Sequence, residues 1–292
     1  MNMRILLTGS TGYLGSHLAD KLLAQGHSIV ALKRKTSSLQ RLKSILPKIT
    51  LIEVEELDFN DAFKDYGKID VVIHTAACYG RSGESISQIV EANLNFPLKL
   101  MDAAMAAGVQ LFINTDTALE KSLNSYSLSK RQFVEWGHHL SRKCITRFIN
   151  LKLEHIYGEG DDDAKFTTHV IKSCLMNVPE LKLTLGEQER DFIYIKDAVA
   201  VYQLLLEKQE LLSDWFVEFE VGSGKAVSIR KFVESVHKLT ASKTYLNFGA
   251  QPYRVSEQMF SQADTQPLQK LGWSCKYNLE QGLKLAIEGH KK

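Results

Sequence analysis

Short apolar runs alternate along the chain with longer stretches in which apolar residues recur every three or four positions. The run Arg4–Thr8 predicts a strand, and Leu14, Leu18 and Leu22 predict a helix over residues 13–25, stopped by Gly26. A strand at 27–32, a loop and helix over 33–46, and strands at 49–53 and 70–74 follow. Residues 86–107 read as one long helix closed by Gly108, then come a strand at 111–114, a helix at 125–141 and a strand at 144–153. Strands apolar throughout and separated by helices imply a parallel sheet covered on both faces. Right-handed crossovers make this an α/β fold with a doubly wound sheet.

The rhythm breaks after Tyr157-Gly158. An acidic loop at 159–163 precedes helices at 166–176, 195–208 and 229–239, with strands at 181–185 and 217–221. This half reads as a smaller lobe interleaved with the sheet. At 292 residues the chain is long enough for a large core without a disulfide or metal staple. The net charge of +2 argues against a nucleic-acid or membrane-surface binder. Cys78, Cys144, Cys174 and Cys275 are far apart, and no histidine pair has ligand spacing, so neither a disulfide framework nor a metal is expected. No apolar run approaches the roughly 20 residues of a membrane span. The N-terminus reads as a first strand and not a signal peptide, so the expected location is cytoplasmic.

The first strand runs into Thr8-Gly9-Ser10-Thr11-Gly12-Tyr13-Leu14-Gly15. Glycines there permit a tight turn and close backbone approach, and amides at the helix N-terminus point at a pyrophosphate. The spacing T-G-x-x-G-x-x-G resembles that of the short-chain dehydrogenase/reductase superfamily in its extended branch, the NAD-dependent epimerase/dehydratase family. The resemblance implies a Rossmann-type sheet with a C-terminal substrate lobe, here residues 1–155 with 191–225 and residues 156–190 with 226–292. Gly9, Thr11, Gly12, Tyr13, Leu14 and Gly15 are then cofactor-binding candidates. The second strand ends Lys33-Arg34-Lys35, with no acid to hold ribose hydroxyls. Arg34, with Lys33 or Lys35, is placed to pair with a 2′-phosphate, so NADPH is expected over NAD. The family pattern also implies adenine contacts at Asp58 and Phe59, and small residues at Ala76 and Ala77 where the cofactor crosses the sheet edge.

Tyr126-Ser127-Leu128-Ser129-Lys130 is Y-x-x-x-K, which on a helix puts both side chains on one face. None of the other nine tyrosines has a lysine four residues on. A nearby ammonium favours the phenolate and so is expected to lower the pKa of Tyr126 into a range useful for proton exchange. The family's third catalytic member is a Ser or Thr at the end of the fifth strand. Thr115 takes that role by the strand-end pattern, Thr117 is the other candidate, and the shortened loop that follows leaves the choice open.

Three reactions share this scaffold. Sugar 4,6-dehydratases carry Thr-Asp-Glu where this chain has Thr115-Asp116-Thr117, so the second acid for elimination is missing. Epimerases retain NAD, whereas Arg34 suits an exchanged NADPH and net reduction. In the second half, 151–158 resembles the L-R-x-x-N-V-Y-G of nucleotide-sugar enzymes with His155 for Asn, and 186–197 resembles G-x-x-x-R-D-F-I-Y-V-x-D. The resemblance makes Arg190 a substrate clamp, with His155 and Lys165 beside it. Strings at 77–81, 154–158, 163–167 and 221–230 look like those of CDP-paratose and CDP-abequose synthases. Those enzymes reduce the 4-keto group of a CDP-4-keto-3,6-dideoxyhexose in O-antigen synthesis, which implies a CDP-sugar substrate, Tyr79 and Arg81 lining a sugar pocket, and a homodimer. The competing readings are an NAD-dependent epimerase and a non-catalytic NADP(H)-binding protein. Retention of Tyr126, Lys130 and Arg190 argues against the latter.

Overall fold

The computed structural model describes residues 2–56 and 59–291. Contacts divide the chain into two units, residues 1–152 with 202–219 and residues 153–201 with 220–292. Residues 191–201 and 220–225 thus fall in the second unit.

The first unit is built on β1 (Arg4–Thr8), α1 (Tyr13–Ala24), β2 (Ser28–Lys33), β3 (Thr50–Glu53), α2 (Phe59–Lys64), β4 (Val71–His74), α3 (Ile86–Val90), α4 (Phe96–Ala106), β5 (Leu111–Thr117), α5 (Ser125–Ser141) and β6 (Arg147–Leu153). With β10 (Phe216–Val221), these strands form a seven-stranded sheet in the order β10-β6-β5-β4-β1-β2-β3. Parallel pairing joins β1 to β2 and β4, β2 to β3, and β4 to β5. The strand order reverses between β1 and β4, so their carboxyl ends open the crevice where doubly wound sheets bind ligands. Leu6, Val72, Phe112, Phe133 and Phe148 are fully buried in one core, with Phe112 stacked on Phe148 at 5.6 Å.

The second unit holds β7 (His155–Tyr157), α6 (Phe166–Leu175), β8 (Glu180–Leu183), β9 (Glu189–Tyr194), the start of α7 (Ile195–Lys208), β11 (Ala226–Ser228), α8 (Ile229–Leu239), β12 (Tyr245–Phe248), α9 (Gln266–Lys270) and α10 (Leu279–His290). β9 lies between β11 and β7, and β8 pairs with β12. Phe192 stacks on Phe232 at 4.3 Å in the core of this unit.

Three elements differ from the pattern-based expectation. Residues 86–107 are not one α-helix: a π turn over Glu91–Asn95 separates α3 from α4. Pro97 at the start of α4 has no amide to donate, and the widened turn absorbs the missing bond. The stretch 33–46 carries only short 3₁₀ turns and no α-helix. The fifth strand continues past Asn114 to Thr117, which carries Thr115, Asp116 and Thr117 on regular strand backbone.

α5 packs closely on the sheet through Gly137. A Cβ there would lie 2.4–2.7 Å from ring atoms of Phe148. Gly137→Ala should therefore destabilise the protein, because overpacking costs about 1–3 kcal/mol and outweighs the roughly 1 kcal/mol of helix propensity gained. A urea midpoint equal to or above that of the parent would contradict this packing.

Candidate active site

The opening turn is built by contact as well as by conformation. Gly9 has φ +71°, and a Cβ on it would meet the Ala76 backbone nitrogen at 2.6 Å. A Cβ on Gly15 would lie 2.1 Å from the Gly9 carbonyl oxygen. Gly12 is the N-cap of α1 and supplies no side-chain cap, so the first-turn amides, including those of Tyr13 and Leu14, face outward unblocked by side-chain oxygen. Thr11 is half-buried on the same turn.

Thr8 ties this turn to the end of β4. Its hydroxyl is 2.7 Å from His74 Nδ1 and accepts the backbone N–H groups of Thr75 at 3.2 Å and Ala76 at 3.3 Å. Burial, with the charge of Lys130 as a lesser cause, holds the His74 pKa well below its ordinary value, so this ring is neutral. Ala76 and Ala77 are half-buried at the crevice. Beyond them, Asn93 of the π turn donates to the Cys78 carbonyl at 2.8 Å and accepts the Cys78 N–H at 2.8 Å. Its amide also reaches the Ser129 hydroxyl at 3.1 Å. Asn93 thus fixes the loop after β4 against α5. A lone Asn within an apolar helix pattern gave no signal of this.

That loop brings Tyr79 onto Tyr126. The rings of Tyr79 and Tyr126 lie 4.9 Å apart, and the Arg81 guanidinium sits 5.2 Å from the Tyr79 centroid. α5 starts just before Tyr126 because Asn124 caps it reciprocally with Ser127. The two threonines now separate. The Thr117 side chain hydrogen-bonds the Tyr126 phenol. The Thr115 hydroxyl lies 2.6 Å from the phenol oxygen of fully buried Tyr202. Thr115 thus faces Tyr202, and Thr117 faces the Tyr126 phenol. The residues after Thr117 are Ala118 and Leu119, so no acid follows it directly, and Glu120 comes three positions on.

Lys130 is 1% exposed, and its Nζ has no hydrogen-bond partner among the described residues. Burial lowers its pKa to about 8, partly opposed by the Asp116 carboxylate. Tyr126 departs from expectation. Burial, with the neighbouring Tyr79 and Asp116, raises its pKa well above 10, against the smaller pull of Thr117 and Arg81. Desolvation of the phenolate is the largest cause, and the group holds its proton at neutral pH. Asp116 is itself raised, chiefly by burial. It accepts from Asn150 Nδ2 at 3.2 Å, and Asn150 also serves Glu218, which Arg131 pairs at 2.9 Å.

The features fit a nicotinamide dinucleotide: a glycine turn with no room for a Cβ, an uncapped helix start, and a buried ammonium at Lys130 without a hydrogen-bond partner among the described residues. At the ribose end, Lys33 is not available for a 2′-phosphate, because its ammonium pairs with Glu53. The Lys35 backbone is held by Glu55. Arg34 is exposed at the end of β2. Phe59 packs edge-on against Phe96 at 5.4 Å and joins the core, so its ring serves packing more than an adenine face. Asp58 lies outside the described residues.

In the second unit, Arg190 on β9 is 7% exposed. It donates to Glu257 at 2.7 Å and to the Glu189 carbonyl at 2.8 Å. Glu154 bears on the same guanidinium, accepts from Ser261 at 2.6 Å, and lies 3.5 Å from His155. Arg190 and His155 thus come together, whereas Lys165 is the half-buried N-cap of α6. Glu257, 67 residues from Arg190, had no local signal in the sequence. The next residue on β9, Asp191, faces inward. It accepts the Ser223, Gly224 and Ala263 N–H groups and the Ser223 hydroxyl, which fixes the turn at 223–224.

A model of the NAD dependent epimerase/dehydratase family matches residues 5–215. A CDP-abequose synthase of Salmonella muenchen is 34% identical over 291 residues, 97% of each chain. One from Salmonella typhimurium is 31% identical, covering 96% of this chain and 95% of that one. Among solved structures, UDP-glucose 4-epimerase from Thermotoga maritima with UDP-glucose superposes with a TM-score of 0.88 at 21% identity, over 99% of both chains. UDP-glucuronic acid 4-epimerase from Bacillus cereus, with UDP-glucuronic acid and NAD, gives 0.86 at 24%, also over 99% of both.

The depressed pKa of Lys130 predicts a stability cost. Below about pH 8 the folded protein holds a buried ammonium; between 8 and the ordinary lysine value of 10.5 the unfolded chain binds more protons, so stability rises with pH. Lys130→Met should be more stable than the parent at pH 7, by up to about 3 kcal/mol, with the gap closing towards pH 10. Denaturant melts at both pH values check this; a variant less stable at pH 7 would refute it.

Proposed function

Because the chain belongs to the NAD dependent epimerase/dehydratase family, we propose that it is an NADPH-dependent nucleotide-sugar reductase, acting on the 4-keto group of a CDP-4-keto-3,6-dideoxyhexose. The observation that carries the reading is the likeness to two CDP-abequose synthases over nearly the whole chain. Tyr126 is held as a phenol, with Thr117 on its oxygen. A reductase needs a proton donor in its resting state, whereas an epimerase begins by taking a proton from a sugar hydroxyl. The absence of an acid directly after Thr117 disfavours elimination of water. The same likeness supports the substrate class.

When bound, NADPH supplies hydride to C4. The chain's own residues do the rest. Gly9, Thr11, Gly12, Tyr13, Leu14 and Gly15 hold the pyrophosphate by close approach and amide donation. Arg34 pairs with the 2′-phosphate. Lys130 holds the nicotinamide ribose. Thr117 orients the carbonyl, and Tyr126 donates to the alkoxide as charge develops. Tyr79 and Arg81 line the sugar pocket, and Arg190, exchanging its pair with Glu257, holds the diphosphate with His155. Lys165 adds charge at the phosphates. Two protomers associate through α3 and α5, which expose Ile86, Leu128 and Trp136 at 69%, 46% and 49%. Among the described residues, no helix is long and apolar enough to cross a membrane.

The defining experiment follows NADPH oxidation with CDP-, dTDP- and GDP-linked 4-keto sugars and determines C4 stereochemistry in the product. Oxidation with the CDP sugar is expected; tightly held NAD and no NADPH consumption would point to an epimerase. Tyr126→Phe should lower kcat by about 10²–10⁴-fold and leave NADPH affinity near that of the parent, whereas Arg34→Ala should weaken NADPH and spare NADH. Near-parental turnover in the first, or equal loss for both cofactors in the second, would remove that residue's role. Trp136→Glu should convert a dimer to a monomer in sedimentation; a monomeric parent would exclude the dimer.

A further inference from the structure

Residues 249–265, between β12 and α9, cross the second unit without forming a helix or strand. They are pinned on both sides of Glu257. On one side the Gln251 N–H donates to the Leu183 carbonyl at 3.0 Å, and the Glu187 N–H to the Tyr253 phenol oxygen at 3.2 Å. On the other the Glu189 N–H donates to the Met259 carbonyl at 2.8 Å, and the Ser261 N–H to the Glu189 carbonyl at 3.1 Å. Between these anchors the chain turns tightly, with the Glu257 N–H on the Arg254 carbonyl at 3.1 Å. Val255 at the tip is 96% exposed, and Ser256 is left-handed at φ +61°. Glu257 ties this turn to β9 through its 2.7 Å pair with Arg190.

We propose that the Glu257 carboxylate is a built-in stand-in for the substrate's diphosphate, holding Arg190 in the empty site and yielding it to the sugar nucleotide on binding. This rests on the reading of Arg190 as the diphosphate clamp. It makes Glu257 the residue that sets how tightly a nucleotide diphosphate is held.

Arg190 is faced by two acids, and they differ in what holds them. Glu154 is 8% exposed, and its carboxylate accepts from Ser261 at 2.6 Å. Its own N–H is bound to the Val221 carbonyl at 2.9 Å, so this acid stays in place. Glu257 keeps 21% of its side chain in water and sits on the turn, so it is the one that leaves. A carboxylate and a phosphoryl group offer a guanidinium the same thing, paired oxygens for its forked N–H donors, and therefore compete for it. The Arg190 side chain is only 8% exposed, so standing unpaired would be costly. Exchange of one anion for another avoids that state. The bond from Arg190 to the Glu189 carbonyl is made by the other terminal nitrogen. It survives the exchange, and the guanidinium is aimed before the ligand arrives. A left-handed residue with a Cβ persists where its surroundings hold it. Release of Glu257 lets Ser256 relax, and the exposed tip gives up little apolar contact as it lifts.

The test is titration calorimetry with CDP, UDP, dTDP and the matching nucleosides, on the parent, Glu257→Gln, Arg190→Met and the double variant. Gln keeps the size of Glu257 and removes its charge. In Glu257→Gln the dissociation constant for CDP should fall about tenfold, because a site held about nine-tenths closed binds with about a tenth of its intrinsic affinity. Cytidine brings no phosphate to Arg190, so it should bind the parent and Glu257→Gln equally. On the Arg190→Met background, Glu257→Gln should leave CDP affinity unchanged, since the competition acts only through the guanidinium. Weaker binding of CDP and cytidine in Glu257→Gln would overturn the proposal, because Glu257 would then be a contact to the ligand. So would an unchanged CDP affinity, or the same gain without Arg190. Should Arg190→Met not fold, the contrast between CDP and cytidine decides alone. Binding of UDP or dTDP in place of CDP would defeat the cytidine part of the proposed function, while the same ratio with that nucleotide still judged Glu257. If neither the parent nor Glu257→Gln binds any of the three diphosphates, Arg190 is no diphosphate clamp and the exchange falls with it.

Discussion

A lysine ammonium with almost no exposed surface is the constraint around which the first unit is arranged. Burying an unpaired charge is costly, and the site meets that cost with a single acid on the neighbouring strand in place of a direct ion pair. A close carboxylate would fill the amine's coordination and hold it in the pair; the arrangement here leaves Nζ open. The position of that amine depends on where α5 begins, and the reciprocal Asn124–Ser127 cap fixes the start of the helix. Tyr126 then emerges in the first turn, and Lys130 one turn deeper, against His74 and Asp116. The same helix must lie close to the sheet for Lys130 to be buried at all, and Gly137 over Phe148 allows that approach.

The crevice at the other end of the dinucleotide path is held by one hydroxyl. Thr8 joins the end of β1 to the amides that follow β4, so the glycine turn and the loop carrying Tyr79 are positioned from the same atom. Asn93 completes the arrangement by fixing that loop to α5 at Ser129. The π turn that presents Asn93 is also where the helix accommodates Pro97. Its backbone irregularity therefore has a local chemical cause and a consequence at the site.

Much of this was legible in the sequence because it is local. The strand–glycine turn–helix unit and the Tyr126/Lys130 spacing follow from short patterns, and the helix at Ser125–Ser141 has the bounds its periodicity implied. What was not legible depends on partners distant in the chain. Thr115 and Thr117 look equivalent until Tyr202, 87 residues on, takes the first. Lys33, Arg34 and Lys35 look alike until Glu53 claims one of them. The spacing to Lys130 implies a lowered Tyr126 pKa, but the groups that bear on the phenol are Tyr79, Asp116, Thr117 and Arg81. Burial of the phenol reverses the outcome, and burial is a tertiary property that no four-residue spacing carries.

The approach of Thr117, and not Thr115, to the Tyr126 phenol alters the comparison with dehydratases. Read with Thr115 first, the chain keeps one of two acids, and dehydration is merely crippled. Read with Thr117 beside the phenol, the positions that follow are Ala118 and Leu119, and Asp116 lies before the threonine, hydrogen-bonded by Asn150 near Lys130. The charge of an acid there acts on Lys130 and on Tyr126. The fold is shared with epimerases at TM-scores of 0.86–0.88, so the sheet cannot select the reaction. That choice falls to the few groups that decide whether the resting phenol holds its proton, and in this chain burial, Tyr79 and Asp116 all act to keep it there.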